Sequence, residues 1–172
     1  VISREELSEL IALAGKAPSG FNTQPWRVMA LTDKAQKEKL FPLAFNQQQM
    51  QDASAVLIVL ADRRAYQRQA VENLNNAMVE QGFLPENLKA QMIGMTAGFY
   101  AGQDQTQAEK FLALDIGLFA MSLMLAAQEK GWNTCPMIGY ARDEVRRAFA
   151  IPETYEDVLL LATGKQTQTP HP

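Results

Sequence analysis

The order of helix-like and strand-like segments predicts a sheet covered by helices, of the α/β or α+β class. Apolar runs of strand length, as at residues 26–31 and 56–61, alternate with helical patterns along the chain. The 172 residues, 47% of them hydrophobic, are enough to bury one sizeable core. We find no internal repeat or low-complexity tract, so we expect residues 1–172 to form a single domain.

Composition argues against several classes of function. The 16 basic and 19 acidic residues are mixed along the chain and form neither a basic stripe for nucleic acid nor a polybasic membrane segment. With one cysteine, Cys135, and one histidine, His171, we expect neither an internal disulfide nor an ordinary zinc site. The longest apolar run, residues 116–127, is shorter than the roughly 20 residues of a membrane span. We therefore expect a soluble, cytoplasmic protein.

The first part of the chain predicts a capped helix, a turn and a strand. Ser3 and Glu6 have the spacing of a capping box, and apolar residues then repeat at helical spacing. Residues 17–26 contain two prolines, a glycine and four polar side chains, and must form a turn. By composition alone, this turn is as well explained by a plain connection as by a ligand site. The strand 26–31 follows, and Asp33 begins a short helix.

The middle of the chain predicts a polar segment, a buried strand and a helical excursion. The composition of residues 45–50 by itself favours a solvated helix face. The continuous apolar run at 56–61 is typical of a fully buried strand. Residues 66–102 follow as two helical pieces broken by Gly82. We interpret this excursion as a cap over a pocket or a partner subunit.

A long apolar helix dominates the second half of the chain. The pattern runs over residues 106–130 and ends at Gly131, and its apolar residues cover more than one face. Such a helix is either buried on all sides or in contact with a second subunit. A strand at 133–137, a short helix at 143–150 and a strand at 158–162 complete the pattern.

Four segments, in this order, resemble the nitroreductase family of flavoproteins. The most specific is Pro-Ser-x-x-Asn-x-Gln-Pro-Trp at 18–26, after a capped helix and before a strand. The others are Phe-Asn-Gln-Gln-Gln-Met at 45–50, Thr-Cys-Pro-Met-Ile-Gly-Tyr at 134–140 and Thr-Gly-Lys at 163–165. The resemblance covers essentially the whole chain, and it outweighs the composition-based interpretations of the first two segments.

The resemblance implies an α+β homodimer with a central mixed sheet covered by helices and the long apolar helix at the dimer interface. It also implies FMN bound between the subunits. The activity implied is electron transfer from NAD(P)H to a nitroaromatic, quinone or similar planar acceptor, by a ping-pong mechanism. A flavin performs the hydride chemistry itself, so no catalytic side chain is expected.

The resemblance also implies which residues bind the cofactor and the substrate. The implied cofactor-binding residues are Pro18, Ser19, Gly20, Asn22, Gln24, Asn46, Gln49, Ile138, Gly139 and Lys165, and the implied substrate-binding residue is Phe21. Residues 18–20 would present backbone to the flavin. Asn22 and Gln24 would supply amide contacts or hold the loop.

The later segments would contact the flavin ring. Asn46 would hydrogen-bond the ring, with Gln49 one helical turn away on the same face. Gly139 would approach the ring because a side chain would obstruct it, and Ile138 would contribute backbone contacts only. Trp26 is predicted to belong to the core, since it begins a buried strand.

The departures from the family pattern concern charge. Many members carry Lys in place of Gln49, so a neutral amide predicts a lower flavin potential, which a redox titration would test. We do not recognise the family's N-terminal Arg-Arg-Ser segment or its C-terminal arm, and Lys165 is a weak substitute for that phosphate clamp. Two lost contacts of about 1.5 to 3 kcal/mol each would weaken FMN binding by roughly two to four orders of magnitude. We expect a fragment of a longer enzyme; the alternative is a non-catalytic ligand-binding or scaffold protein.

Overall fold

A four-stranded sheet with helices on both faces is formed by residues 1–166, the part of the chain that this computed structural model describes. The helices are α1 (Arg4–Ala14), α2 (Lys34–Leu40), α3 (Gln49–Asp52), α4 (Arg68–Glu80), α5 (Glu86–Ala101), α6 (Gln105–Glu129) and α7 (Arg142–Ala148). The strands are β1 (Trp26–Leu31), β2 (Ala55–Asp62), β3 (Asn133–Met137) and β4 (Tyr155–Gly164). The α+β class implied by the resemblance is confirmed.

The sheet has the strand order β1-β2-β4-β3, and its described strands pair antiparallel throughout rather than in the mixed arrangement that we expected. Leu31 at the end of β1 pairs with Val56 near the start of β2, and Trp26 pairs with Ala61. The segment between the two strands therefore begins and ends at the same edge of the sheet. It makes no crossover, which a parallel pair would need.

Strand β2 lies inside the sheet and is buried on both faces. Leu57 and Val59 point into a core that includes residues of α1 and α6. Ile58 and Leu60 point into a second core, on the side of α2 and α7. Successive residues therefore serve opposite cores, which requires a continuous apolar run. The sequence predicted this buried strand correctly.

Several local predictions are also confirmed. Ser3 N–H donates to Glu6 Oε2 at 2.8 Å, and Glu6 N–H donates to Ser3 Oγ at 3.1 Å, so the capping box is present. Trp26 is 9% exposed and stacks on Phe119 of α6 with ring centroids 5.0 Å apart, as a core residue should. Asp33 occupies the N-cap position of α2, although its side chain makes no capping hydrogen bond.

Helix α6 is buried along one side only. Ile116, Phe119 and Leu123 are at most 1% exposed, but four apolar side chains at helical spacing remain exposed. They are Leu114 at 60%, Leu118 at 38%, Met121 at 50% and Leu125 at 54%, and we call them the α6 stripe. The possibility of burial on all sides within one chain is thereby excluded, and contact with a second subunit stays a prediction.

Length and composition alone make α6 a candidate membrane span, the one such helix in the described part of the chain. The core helix of a soluble protein passes the same test. One side of α6 packs against α1 and the sheet and buries even an acidic residue, Asp115. Contact with the core therefore accounts for the apolar residues on that side of the helix.

Candidate functional site

Strained backbone marks two of the segments singled out by the sequence. Of six non-glycine residues with positive φ in residues 1–166, five lie either in residues 18–24, which we call the opening loop, or in residues 45–50. Their φ angles are 49° at Phe21, 57° at Asn22, 46° at Gln24, 55° at Phe45 and 56° at Asn46. Residues with side chains seldom adopt this conformation, and it clusters at binding and active sites. Both segments are therefore site candidates on structural grounds as well.

Side chains within the opening loop hold its shape. Ser19 Oγ accepts a hydrogen bond from Gln24 N–H at 3.0 Å, and Thr23 Oγ1 donates to the Gly20 carbonyl at 2.9 Å. Gln24 Nε2 donates to Asn22 Oδ1 at 2.9 Å. Of the two roles expected for Asn22 and Gln24, the structure therefore shows that of holding the loop. Their contact with a cofactor stays a prediction.

Asp115 of α6 ties the opening loop to the core. Its Oδ1 accepts a hydrogen bond from Gly20 N–H at 3.0 Å, and its Oδ2 accepts one from Tyr66 Oη at 2.9 Å. A Cβ added at Gly20 would lie 2.4 Å from Tyr100 Oη, so only glycine fits there without displacement. Sequence reasoning assigned Asp115 no role. Its signal was an acidic residue in the middle of an apolar helix.

The segment 45–50 lies beside the turn that follows β3. Gln47 Nε2 donates to the Gly139 carbonyl at 2.9 Å, a link that the sequence did not reveal. Within residues 1–166, the side-chain amides of Asn46 and Gln49 make no hydrogen bond, and both residues are exposed. These two amides are therefore available to a ligand.

The turn after β3 has open space around it. Ile138 is 75% exposed. A Cβ added at Gly139 would meet no heavy atom within 4 Å, in contrast to one at Gly20. The packing of residues 1–166 therefore does not require glycine at position 139. The space beside it is available to a planar ligand, as the predicted role of Gly139 requires.

An open cavity of about 440 Å³ lies between α3 and the ends of β3 and β4. Its lining consists of Gln49, Asp52, Ala53, Asn133, Thr134, Cys135, Ala162, Gly164, Lys165 and Gln166. Small-molecule sites commonly measure roughly 300 to 1,000 Å³. The ammonium of Lys165 donates to the Gly131 carbonyl and lies 4.1 Å from the centroid of the Trp132 ring. We call this space the amide cavity, because Gln49 brings one of the free amides to it.

A second cavity, of about 340 Å³, lies beside the opening loop and is almost entirely apolar. Its lining consists of Pro18, Ser19, Gly20, Phe21, Phe99, Tyr100, Phe111, Leu114, Asp115 and Leu118. The rings of Phe21 and Phe99 are 5.3 Å apart, and that of Phe111 is 5.7 Å from Phe99. Phe21, the predicted substrate-binding residue, therefore belongs to an aromatic cluster whose other members the sequence did not identify.

The predicted site residues form two separate groups in one chain. One group is Pro18, Ser19, Gly20, Phe21, Asn22 and Gln24; the other is Asn46, Gln49, Ile138, Gly139 and Lys165. The opening loop precedes β1 near the Trp26–Ala61 pair, whereas the amide cavity lies near the Ala55–Thr163 pair. Six residues of β2 separate these pairs by roughly 20 Å. One flavin ring therefore cannot contact the opening loop and the amide cavity of the same chain.

This α+β fold, with a strained Pro- and Gly-containing loop and an amide-lined cavity, has the architecture of a cofactor-binding protein. The family model described as "Nitroreductase family" matches residues 1–165. The chain therefore belongs to the nitroreductase family, and the resemblance noted in its sequence is confirmed.

Relatives and solved structures agree with this membership. YodC of Bacillus subtilis, described as an NAD(P)H nitroreductase, is 35% identical over 170 residues, covering 99% of this chain and 82% of YodC. A structure described as a nitroreductase in complex with FMN, from Exiguobacterium sibiricum, has a TM-score of 0.93 at 34% identity, covering 99% of this chain and 81% of that chain. A structure from Staphylococcus epidermidis described as an NAD(P)H:FMN oxidoreductase has a TM-score of 0.91 at 33% identity, covering 99% and 80%.

Proposed function

We propose that this chain is a homodimeric, FMN-dependent oxidoreductase of the cytoplasm, with residues 1–172 as one domain and 66–102 as its cap. It takes electrons from NAD(P)H and passes them to a nitroaromatic, quinone or similar planar acceptor in a ping-pong cycle. The observation that carries the proposal is the separation of the site residues into two groups beside an exposed apolar helix face. Family membership and the FMN in a similar structure support the choice of cofactor.

A second copy of the chain would bring the two groups together. In a dimer whose two-fold axis is perpendicular to α6, the α6 stripe packs on its own copy, with the two helices antiparallel. Asp115, which holds the opening loop, lies in the N-terminal half of α6, whereas Gly131, which bonds Lys165, lies just beyond its C-terminal end. The opening loop of one subunit then approaches the amide cavity of the other. Two equivalent composite sites result.

The free groups of this chain fit a flavin ring. The amides of Asn46 and Gln49 each offer donors and an acceptor, which match the alternating polar atoms at the edge of the ring. The open space at Gly139 lets the ring approach the backbone. The aromatic cluster around Phe21 suits the stacking of a planar acceptor.

This chain offers fewer groups to bind the phosphate of FMN than to bind its ring. Among residues 1–166, Lys165 is the basic residue that lines the amide cavity, and a charge-assisted bond from its ammonium would hold a phosphate oxygen. That ammonium already contacts the Gly131 carbonyl and the Trp132 ring. A phosphate would have to compete with both contacts, so we expect modest FMN affinity.

Bound FMN supplies the hydride chemistry. The residues of this chain bind the ring, orient it and provide an apolar surface for the acceptor, and they need no side-chain nucleophile. Ping-pong behaviour follows if NAD(P)H and the acceptor use the same composite site in succession.

Titration with FMN, followed by flavin absorbance, tests the proposal. We expect saturable uptake of FMN and FMN-dependent oxidation of NADH or NADPH with a quinone as acceptor. Asn46→Ala removes one hydrogen bond to the ring and should weaken FMN binding about tenfold. A protein that takes up no FMN and oxidises neither nicotinamide would contradict the proposal and leave the non-catalytic ligand-binding or scaffold alternative.

A further inference from the structure

Three segments that are distant in sequence meet at a group of buried polar side chains beneath the opening loop. Asp115 is 4% exposed and accepts hydrogen bonds from Gly20 N–H and Tyr66 Oη. The ring of Tyr66, which precedes α4, stacks on Tyr100 of α5 with centroids 3.8 Å apart and planes 5° apart. We call these four residues the Asp115 cluster. It joins the opening loop, the 66–102 excursion and α6.

The cluster buries a carboxyl group without a basic partner. The ion pairs of residues 1–166 do not include Asp115, so its oxygens depend on the two hydrogen bonds. Burial, and next the nearby Asp115 carboxyl, raise the pKa of Tyr66 and of Tyr100. Tyr66 therefore remains a protonated donor at neutral pH. A buried polar cluster is stable only when its polar groups are hydrogen-bonded. Loss of the hydrogen bond from Gly20 N–H would therefore be costly, because it would leave a buried Asp115 oxygen without a donor.

The side chain of Tyr100 limits how closely the opening loop can approach Asp115. Tyr100 is 8% exposed and is fixed by its stack on Tyr66. Its hydroxyl lies where a Cβ of residue 20 would be. The hydrogen bond to Asp115 thus holds the loop backbone close to α6, and steric contact with the Tyr100 hydroxyl prevents a closer approach. Together these contacts set the height of the loop above α6.

We propose that Asp115, Tyr66 and Tyr100 are positioning residues, which hold the opening loop at the height needed to meet the partner subunit's amide cavity. This gives the 66–102 excursion a second role, as a support beneath the loop. The inference rests on the proposed function for its consequence in FMN binding. The positioning itself concerns this chain alone and can be tested without any cofactor.

Hydrogen–deuterium exchange of the full chain without FMN tests the positioning directly. We expect Asp115→Ala to speed exchange in a peptide covering residues 18–25 about tenfold or more, because Gly20 N–H loses a charge-assisted partner. Tyr66→Phe keeps the ring stack but removes the second hydrogen bond to Asp115, and should speed the same exchange to a smaller extent. Asp115→Asn retains an amide oxygen for Gly20 N–H and should restore slow exchange.

Tyr140→Phe is the matched control for exchange. Tyr140 Oη donates to another buried carboxyl, Asp157 Oδ2, at 2.7 Å, and Tyr140 belongs to the core on the opposite face of the sheet. This variant loses a similar hydrogen bond but should leave exchange at residues 18–25 unchanged. If Asp115→Ala fails to fold, Tyr66→Phe and Asp115→Asn still decide the matter. Wild-type exchange at residues 18–25 in folded Tyr66→Phe, or acceleration equal to that in Tyr140→Phe, would overturn the proposal.

FMN titration of the same variants separates the two proposals. If the chain binds FMN as proposed and the Asp115 cluster positions the loop, Asp115→Ala should bind FMN at least about tenfold more weakly than wild type. Asp115→Asn should recover most of that loss. A wild-type protein that binds no FMN contradicts the proposed function, and the exchange result then stands on its own. FMN binding that is equal in wild type and Asp115→Ala, despite faster exchange, would overturn the link between loop position and cofactor.

Discussion

At the scale of single residues, two glycines of the candidate site differ in what surrounds them. A Cβ at Gly20 would meet Tyr100 Oη at 2.4 Å, whereas a Cβ at Gly139 would meet nothing within 4 Å. Neither glycine has a positive φ, so backbone strain does not explain either of them. Packing within residues 1–166 therefore accounts for the first glycine, whereas a role of the second in ligand binding stays a prediction.

Replacing each glycine by alanine should separate stability from binding. Gly20→Ala should lower the free energy of unfolding by about 1 to 3 kcal/mol, as overpacking does. Gly139→Ala should change it by less than about 0.5 kcal/mol and yet weaken FMN binding. Denaturant unfolding without FMN and FMN titration give the two quantities. Equal FMN affinity in Gly139→Ala and wild type would remove Gly139 from the site.

Buried tyrosine hydroxyls predict a loss of stability at alkaline pH. Burial is the main cause that raises the pKa of Tyr66, Tyr100 and Tyr140, with Asp115 acting next on the first two and a hydrogen bond to Asp157 on the third. A free tyrosine loses its proton near pH 10. The folded protein keeps these protons when the unfolded chain has lost them. Their stabilisation is therefore complete well below pH 10 and declines as the pH rises above it, by at most about 1.4 kcal/mol per pH unit for each tyrosine.

Tyr66→Phe removes one of these groups and should make the decline less steep. The free energy of unfolding, measured by denaturant at several values from about pH 9 to 11, gives the slope for wild type and variant. Identical slopes would show that Tyr66 does not hold its proton more tightly in the folded state.

At the scale of elements, α6 has two sides with different tasks. Its buried side packs on α1 and the sheet and holds Asp115 against the opening loop. Its other side carries the α6 stripe, whose side chains remain 38 to 60% exposed in residues 1–166. This division explains why the sequence pattern is apolar on more than one face.

A charge on the stripe should prevent dimerisation without unfolding the subunit. Leu118→Glu places like charges close together across a two-fold contact, and we expect monomers at micromolar concentration by light scattering. Leu13→Glu on α1 is the control, because Leu13 is 37% exposed and Leu118 is 38% exposed. The control should keep the wild-type oligomeric state. A Leu118→Glu dimer as stable as the control would contradict the assignment of the stripe to the interface.

At the scale of the whole molecule, local sequence signals predicted individual elements well. The capping box of Ser3 and Glu6 predicted the start of α1, and the apolar run at 26–31 predicted the limits of β1. The sheet pairing could not be obtained in this way, because it depends on which strand ends the connecting segments join, and long-range packing decides that. The family motif supplied the candidate site residues.

Long-range contacts account for what the sequence left out. Gly20 and Asp115 are 95 positions apart, and Tyr66 and Asp115 are 49 apart. No periodicity or motif links such positions in one sequence. The sequence also could not predict the separation of the site into two groups. That separation depends on the antiparallel registers, which place the opening loop and the amide cavity at opposite ends of β2.

Complementation between two damaged subunits tests whether each site combines the opening loop of one chain with the amide cavity of another. Gly20→Leu displaces the loop through its clash with Tyr100, and Gly139→Leu obstructs the turn beside residues 45–50. Each variant, once shown to be folded and dimeric, should by itself bind little FMN. In a co-expressed mixture, each heterodimer has one intact loop facing one intact cavity. With random pairing we predict recovery of roughly a quarter of wild-type FMN sites. A mixed dimer that binds no more FMN than either variant alone would contradict the composite site.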